Sequence, residues 1–187
     1  AAAREGASDV DAFLEELQMS VIFGPITALN LARATQLINK TNQFNTNAVR
    51  RTEAEVVQLT GDKDALHLQF RLIDKFGDNG LVSVILLQRC LVEANALEVA
   101  NWVMSCRVFG RKLEHETMNI LVEHARARGV TAIFADYIET EKNGLLRPLF
   151  PQLGFASVEK AGGMRWMLSV GDYVAHETSI TRKAEGP

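Results

Sequence analysis

The sequence predicts an α/β fold on a mixed central sheet with flanking helices, and three observations carry that reading. Strand-like apolar runs alternate with stretches of helical period; residues 65–87 carry a β-hairpin pattern; residues 97–137 read as strand, helix and strand with short joints. A hairpin is antiparallel, whereas strands joined through a helix lie parallel, so the sheet must be mixed. The predicted order is β-α-α-β-β-β-α-β-α-β-β.

Residues 1–8 are small and polar, and residues 9–17 form an amphipathic helix with Phe13, Leu14 and Leu17 as its apolar stripe and Ser8 or Asp9 as its cap. Residues 1–17 therefore read as a linker and helix from a preceding domain. Residues 19–26 read as a strand closed by Gly24-Pro25, and residues 28–39 as a helix with Leu31, Ala34, Leu37 and Ile38 on one face. A second short helix covers residues 53–59. In residues 65–74, Leu66, Leu68, Phe70 and Leu72 alternate with His67, Gln69 and Arg71, as in a half-exposed strand. Gly77-Asp78-Asn79-Gly80 turns the chain into residues 81–87, nearly all apolar and so more central in the sheet.

Residues 97–108 give the next strand. Residues 112–128 then place Leu113, Thr117, Ile120, Leu121 and Ala125 on one helical face, ended by Gly129. Residues 130–137 are a buried strand, residues 145–153 a short helix, and residues 155–160 and 164–170 a closing hairpin around Gly162-Gly163. One domain thus spans residues 18–175, and the polar residues 176–187 read as a flexible tail.

The composition narrows the function. With 187 residues, 20 Lys and Arg against 23 Asp and Glu, a net charge of −3 and a pI near 5.8, the chain has no basic field for neutralising several phosphates of a nucleic acid. No apolar run approaches the ~20 residues of a membrane helix. Cys90 and Cys106 are too few for a disulfide framework and fit a reducing, cytoplasmic compartment. His115 and His124 lack metal-ligand spacing, and residues 74–80 lack the alternating ligands of a calcium loop, so no metal is expected.

The joint Met104-Ser-Cys-Arg-Val-Phe-Gly-Arg-Lys112 ends a strand and opens a helix, where unpaired N–H groups and the helix dipole converge. Gly110 permits close approach, and Arg107, Arg111 and Lys112 add charge. Two readings stand: a phosphate cradle, or a glycine turn with solvated basic residues. Cys106 beside Arg107 reads as a thiol nucleophile of lowered pKa, or as a small buried hydrophobe sharing strand parity with Trp102 and Met104. His67, on the polar face of its strand, is a candidate base or substrate ligand.

Arg107-x-x-Gly110-x-Lys112 after the fourth strand resembles the pantetheine and pyrophosphate loop of GNAT acyltransferases, and the element order resembles theirs, although Lys112 stands where those loops carry a small residue. A closer resemblance runs along almost the whole chain. Gln36-Leu-Ile-Asn-Lys-Thr-Asn-Gln-Phe-Asn45, Phe76-Gly-Asp-Asn-Gly-Leu-Val82, Met104-Ser-Cys-Arg-Val-Phe-Gly-Arg111 and Thr140-Glu-Lys-Asn143 look like the C-terminal acyltransferase-like region of FkbH-like proteins, in which a HAD-type phosphatase domain usually precedes this region.

That resemblance implies transfer of a glyceryl unit, derived from 1,3-bisphosphoglycerate, through Cys106 to the phosphopantetheine thiol of an acyl carrier protein in polyketide-type biosynthesis. Asn42 and Asn45 would then assist catalysis, and Gln43, His67 and Thr140 would contact the acyl group. Arg107, Val108, Gly110, Arg111, Lys112 and Asn143 would hold the pantetheine arm. The implied partners are the carrier protein and a phosphatase domain in the same or a separate chain, and CoA is expected to bind weakly or not at all. Phe150 stands where many GNAT enzymes carry a tyrosine that protonates the leaving thiolate. The alternatives are an acyl-CoA-dependent N-acyltransferase and a non-catalytic module that docks the carrier.

Overall fold

A computed structural model describes residues 2–160 and 163–183. Helix α1 (Ala2–Glu16) leads into β1 (Met19–Gly24), α2 (Leu31–Lys40), the two-residue β2 (Phe44–Asn45) and α3 (Glu53–Gly61). There follow β3 (Leu66–Asp74), β4 (Gly77–Arg89), β5 (Ala96–Met104), α4 (Leu113–Ala127) and β6 (Ala132–Asp136). The short α5 (Leu149–Gln152), β7 (Ala156–Lys160), β8 (Gly163–Ser169) and β9 (Ile180–Lys183) complete the fold.

Among the described residues the strands form one nine-stranded sheet in the order β7-β8-β6-β5-β4-β3-β1-β9, with β2 attached to β5. β3, β4 and β5 are antiparallel neighbours, and β5 and β6 run parallel through the α4 crossover. The sheet is mixed, as the hairpin and the crossover require.

Helices cover both faces. Leu113, Ile120, Leu121 and Ala125 of α4 pack with Phe70, Leu72, Ile85 and Trp102 on one face, while Ala34, Leu37 and Ile38 of α2 and Val56 of α3 pack with Val84, Leu86 and Val103 on the other. This double cover explains a departure from the half-exposed strand expected over residues 65–74: Gln69, on its polar side, is buried. Helix α3 starts where Thr52 closes a capping box, its hydroxyl accepting from the Glu55 N–H at 3.3 Å and the Glu55 carboxylate accepting from the Thr52 N–H at 2.7 Å.

The other boundaries shift for local reasons. The β3–β4 turn is Lys75-Phe76, tied by the Phe76 N–H to Asp74, so Gly77-Asp78-Asn79-Gly80 belongs to β4 instead of the turn. β5 ends at Met104 because Ser105 caps a single 3₁₀ turn over Cys106–Val108. Helix α1 starts at Ala2, which makes Ser8 and Asp9 interior residues and not caps. Its Leu14 joins the main core with Leu17, which follows the helix, while Phe13 of the expected stripe faces solvent. That packing makes α1 part of this domain's core.

The expectation of a flexible tail over residues 176–187, of which 184–187 lie outside the described residues, is corrected for residues 180–183 by β9, which pairs in parallel with β1. Glu116, from the first turn of α4, explains why it stays. Its buried carboxylate accepts from Arg182 Nε at 2.7 Å, Thr178 Oγ1 at 2.8 Å and Asn119 Nδ2 at 3.1 Å. The Asn119 carbonyl in turn accepts from the Tyr173 hydroxyl and the His176 N–H, each at 2.8 Å. Glu116→Ala should cost about 3 kcal/mol in urea denaturation, because it strands buried donors and a charged one among them. Limited proteolysis should then cleave first near residues 176–183.

Candidate functional site

The site begins where two parallel strands part. β5 and β6 pair only from Ala96–Ala132 to Glu98–Phe134, and beyond that the β5 edge diverges from its neighbour. Divergence leaves backbone donors and acceptors that must find other partners. Here the chain supplies them itself: Phe44 and Asn45 pair with Met104 and Val103, and the Thr46 N–H donates to the Trp102 carbonyl at 3.2 Å. The Thr46 carbonyl accepts from the Ile138 N–H at 2.9 Å, which ties the wedge to the chain beyond β6.

Asn143 fixes this wedge. Fully buried, it donates through Nδ2 to the Asn45 and Ile138 carbonyls, both at 2.9 Å, and accepts at Oδ1 from the Thr140 N–H at 2.7 Å. Its expected role as a ligand for the pantetheine arm is therefore corrected to one of bracing, since all of its polar groups point into the protein. Asn45 is likewise buried, donating to the Thr41 carbonyl at 3.2 Å and accepting from the Ala48 N–H at 2.9 Å, and is not placed to catalyse.

Ahead of the wedge, on the α2 side of the sheet, lies an open pocket of about 630 Å³. The end of β5 brings Met104, Ser105, Cys106 and Arg107 to it, the loop after α2 brings Asn42 and Gln43, and Lys142 closes the rim. The Cys106 thiol is exposed, whereas Cys90 is buried just past the end of β4. Of the two readings of Cys106, the buried hydrophobe is ruled out, because the 3₁₀ turn breaks strand parity and carries the side chain outward.

Asn42 is oriented for donation. Arg50 donates to its side-chain oxygen and also to the Ile38 and Thr41 carbonyls, at 2.7 and 2.9 Å. Arginine has no acceptor, so the amide oxygen of Asn42 must face it, which leaves the NH₂ free as a donor. Arg33, Gln36 and Lys40 also line the pocket; the sequence assigns none of them a role, although Gln36 and Lys40 stand in the first FkbH-like motif. Their spacing puts them on one exposed face of α2, a pattern that was readable but had no partner in the sequence to give it meaning.

The loop after Cys106 departs from a phosphate seat. Gly110 has φ +74 and Lys112, the N-cap residue of α4, φ +60 with no side-chain cap hydrogen bond. The charges expected there are committed elsewhere: Arg111 pairs with Asp74, and Lys112 with Asp11 of α1 at 2.7 Å. Val108 is fully buried. A small groove beside Gly110, lined by Phe44, Phe109 and Leu149, also carries the Glu114 carboxylate, which repels a phosphate. Arg107 alone remains an exposed cation of the expected set.

Asp74 has a negligibly exposed side chain. Burial would push its carboxyl up, but hydrogen bonds from Asn79, Arg111 and the Phe76 N–H outweigh that and hold it below the usual carboxylate range. His67 does not reach the pocket: its Nδ1 accepts from the Ile26 N–H at 3.0 Å, and burial pushes it below the ordinary imidazole value. Its expected contact with substrate is corrected to support of the β1–α2 loop. Thr140 lies with Asn42 along a neighbouring shallow depression, its hydroxyl accepting from the Lys142 N–H at 3.3 Å. Phe150 is buried against Phe155, ring centroids 5.1 Å apart, and against Trp102 and Trp166. Among the described residues no cluster of side chains could hold a metal ion, and no helix is long and apolar enough to cross a membrane.

No protein-family model and no curated protein matches the chain. Solved structures do. The Escherichia coli ribosomal-protein-S18-alanine N-acetyltransferase is 14% identical with a TM-score of 0.59, over 84% of this chain and 97% of that one. The GNAT domain of S. lividans PAT is 16% identical with a TM-score of 0.61, over 79% and 89%. A GNAT-superfamily phosphinothricin acetyltransferase from Sinorhizobium meliloti, in complex with AcCoA, is 15% identical with a TM-score of 0.60, over 85% and 93%. At these identities the likeness is one of fold, and the fold is that of GNAT acetyltransferases.

Two outcomes follow from this geometry. Iodoacetamide on the native protein should add one carbamidomethyl group, mapped by peptide mass to Cys106, with Cys90 reacting only after unfolding. A carboxylate of depressed pKa stabilises the folded state above the unfolded value near 3.9, and that stability is lost as pH falls through the folded value. The urea midpoint of Asp74→Asn should therefore lie below that of the parent at pH 7, and the gap should close progressively below about pH 4.

Proposed function

We propose that this chain is an acyltransferase domain that carries a glyceryl unit on Cys106 and passes it to the phosphopantetheine thiol of an acyl carrier protein. The observation that supports this most is the exposed Cys106 thiol at the end of β5, opening on a pocket lined by amide and cationic side chains. The four FkbH-like motifs add to it, because three of them contribute residues to the walls of that pocket.

In this reading the Cys106 sulfur attacks the acyl-phosphate carbon of 1,3-bisphosphoglycerate. The C–S bond forms, the C–O bond to phosphate breaks, and inorganic phosphate leaves with the electron pair. A phosphatase, in the same or a separate polypeptide, removes the remaining phosphate ester with water. The carrier thiol then attacks the thioester carbonyl, the C–S bond to Cys106 breaks, and the proton of the carrier thiol ends on the departing Cys106 sulfur. Exchange between two thioesters is nearly isoenergetic, so the domain's task is positioning and charge stabilisation. The NH₂ of Asn42, aimed by Arg50, and that of Gln43 are the donors for the tetrahedral oxyanion.

A second reading, acyl-CoA-dependent N-acyl transfer, draws on fold neighbours that include an N-acetyltransferase and an AcCoA complex. Against it stand the wedge of residues 44–46 between the diverging strands, the committed Arg111 and Lys112, and the buried Phe150. A docking module without chemistry would carry a buried Cys106, and this one is exposed.

Incubation with the phosphatase portion and 1,3-bisphosphoglycerate should give a glyceryl adduct, by intact mass, that maps to Cys106 and disappears when holo-carrier is added. Cys106→Ser should keep the fold, by circular dichroism, and abolish the transfer, since an alkoxide is far harder to form than a thiolate at neutral pH. An adduct mapped to another residue, or unchanged transfer by the serine variant, would refute the assignment.

A further inference from the structure

We infer that the Cys106 pocket is a phosphate-binding site, with Arg33, Lys40, Arg107 and Lys142 as its cationic wall. Those four side chains line one pocket, and among the described residues no carboxylate lines it. The chain as a whole is acidic, at −3, which makes such a one-sided gathering notable for its partners rather than its number. Elsewhere most of the cations have protein partners, though among the described residues Lys63, Arg89 and Lys183 do not. Arg71, Arg111, Lys112, Arg147, Arg165 and Arg182 each lie within ion-pair distance of a carboxylate, and Arg126 and Arg128 donate to backbone carbonyls.

Around Cys106, by contrast, the contacts are neutral and local: Arg33 donates to Gln36 and Arg107 Nε to Ser105 Oγ at 3.2 Å. Neither contact neutralises charge. Arg50, which does not line this pocket, donates to the Ile38 and Thr41 carbonyls and so meets the negative end of the α2 dipole, leaving Lys40 in the last turn of α2 to the pocket. A concave surface lined by one sign of charge concentrates counter-ions, and guanidinium and ammonium groups together suit the oxygens of a phosphate.

This inference rests on the acyl-transfer reading for the source of the phosphate, which is one of two: the ester phosphate of a phosphorylated acyl donor, or the phosphodiester of a carrier's pantetheine arm. Both carry the same chemistry into the same pocket. The phosphate would lie beside the thiol and not at the α4 N-terminus, where Asp74, Asp11 and Glu114 already answer or oppose the charge.

The test uses the alkylation rate of Cys106 in the native protein, followed by peptide mass with buried Cys90 as internal control. Anionic iodoacetate should gain on neutral iodoacetamide by about tenfold over the ratio measured in urea, and 0.5 M NaCl should remove most of the gain. Iodoacetamide labelling should be slowed by 3-phosphoglycerate more than by glycerate if the donor's ester is the ligand. It should be slowed by S-methyl phosphopantetheine more than by S-methyl pantetheine if the carrier arm is. The double variant R33Q/K40Q, changed only at exposed positions, should lose most of both the rate ratio and the protection.

An iodoacetate preference equal to that of the unfolded chain would overturn the inference. So would protection that is blind to the phosphate, or protection that survives unchanged in the double variant. Failure here is separable from failure of the acyl-transfer reading, because glyceryl loading of Cys106 is read by adduct mass and needs no phosphate protection, whereas protection needs no loading.

Discussion

The divergence of β5 from β6 is the constraint on which the rest of this molecule depends. Parallel strands that separate inside a sheet expose backbone groups that cost free energy unless they are paired. Residues 44–46 meet that demand on the β5 side, and Ile138 meets it on the other. The loop between α2 and α3 is thereby fixed in the middle of the sheet. Asn42 and Gln43, immediately before the wedge, are held against the end of β5 and the turn that carries Cys106.

Asn143 and Arg50 make that placement rigid from two sides. Asn143 clamps the wedge from the chain beyond β6, and Arg50 clamps the C-terminus of α2 and the side chain of Asn42 together. A site assembled from a helix end, a two-residue strand and a 3₁₀ turn would otherwise be loose, since none of these elements is stable alone. The double helical cover of the sheet supplies the platform, with apolar cores on both faces.

Charge is divided between structure and site. At the α4 N-terminus the cations are consumed by the fold: Arg111 fastens the α4 entrance to the end of β3, and Lys112 fastens it to α1. At the end of β5 the cations face an open pocket that no carboxylate among the described residues lines. A GNAT-like fold thus holds two groups of cations near Cys106, one tied to α1 and β3 and one lining an open pocket. Fold likeness at 14 to 16% identity says nothing about this division.

What the sequence determined by itself was the order of helices and strands apart from β2 and β9, the hairpin, the crossover and the buried face of α4, because each of these is written in local periodicity and in turn residues. Leu113, Thr117, Ile120, Leu121 and Ala125 all lie in the core, where their spacing puts them. Cys106 was legible as a candidate, yet its exposure was not, since strand parity pointed inward and only the Ser105-capped turn points it out. The tertiary structure alone decided the wedge, the bracing role of Asn143 and the loss of Arg111 and Lys112 as free cations. The physical reason is distance along the chain: Asn143 meets Asn45 across 98 positions, Lys112 meets Asp11 across 101, and Arg111 meets Asp74 across 37. No local pattern encodes such partners, and a polar side chain in a loop reads alike whether it will face a ligand or a buried carbonyl.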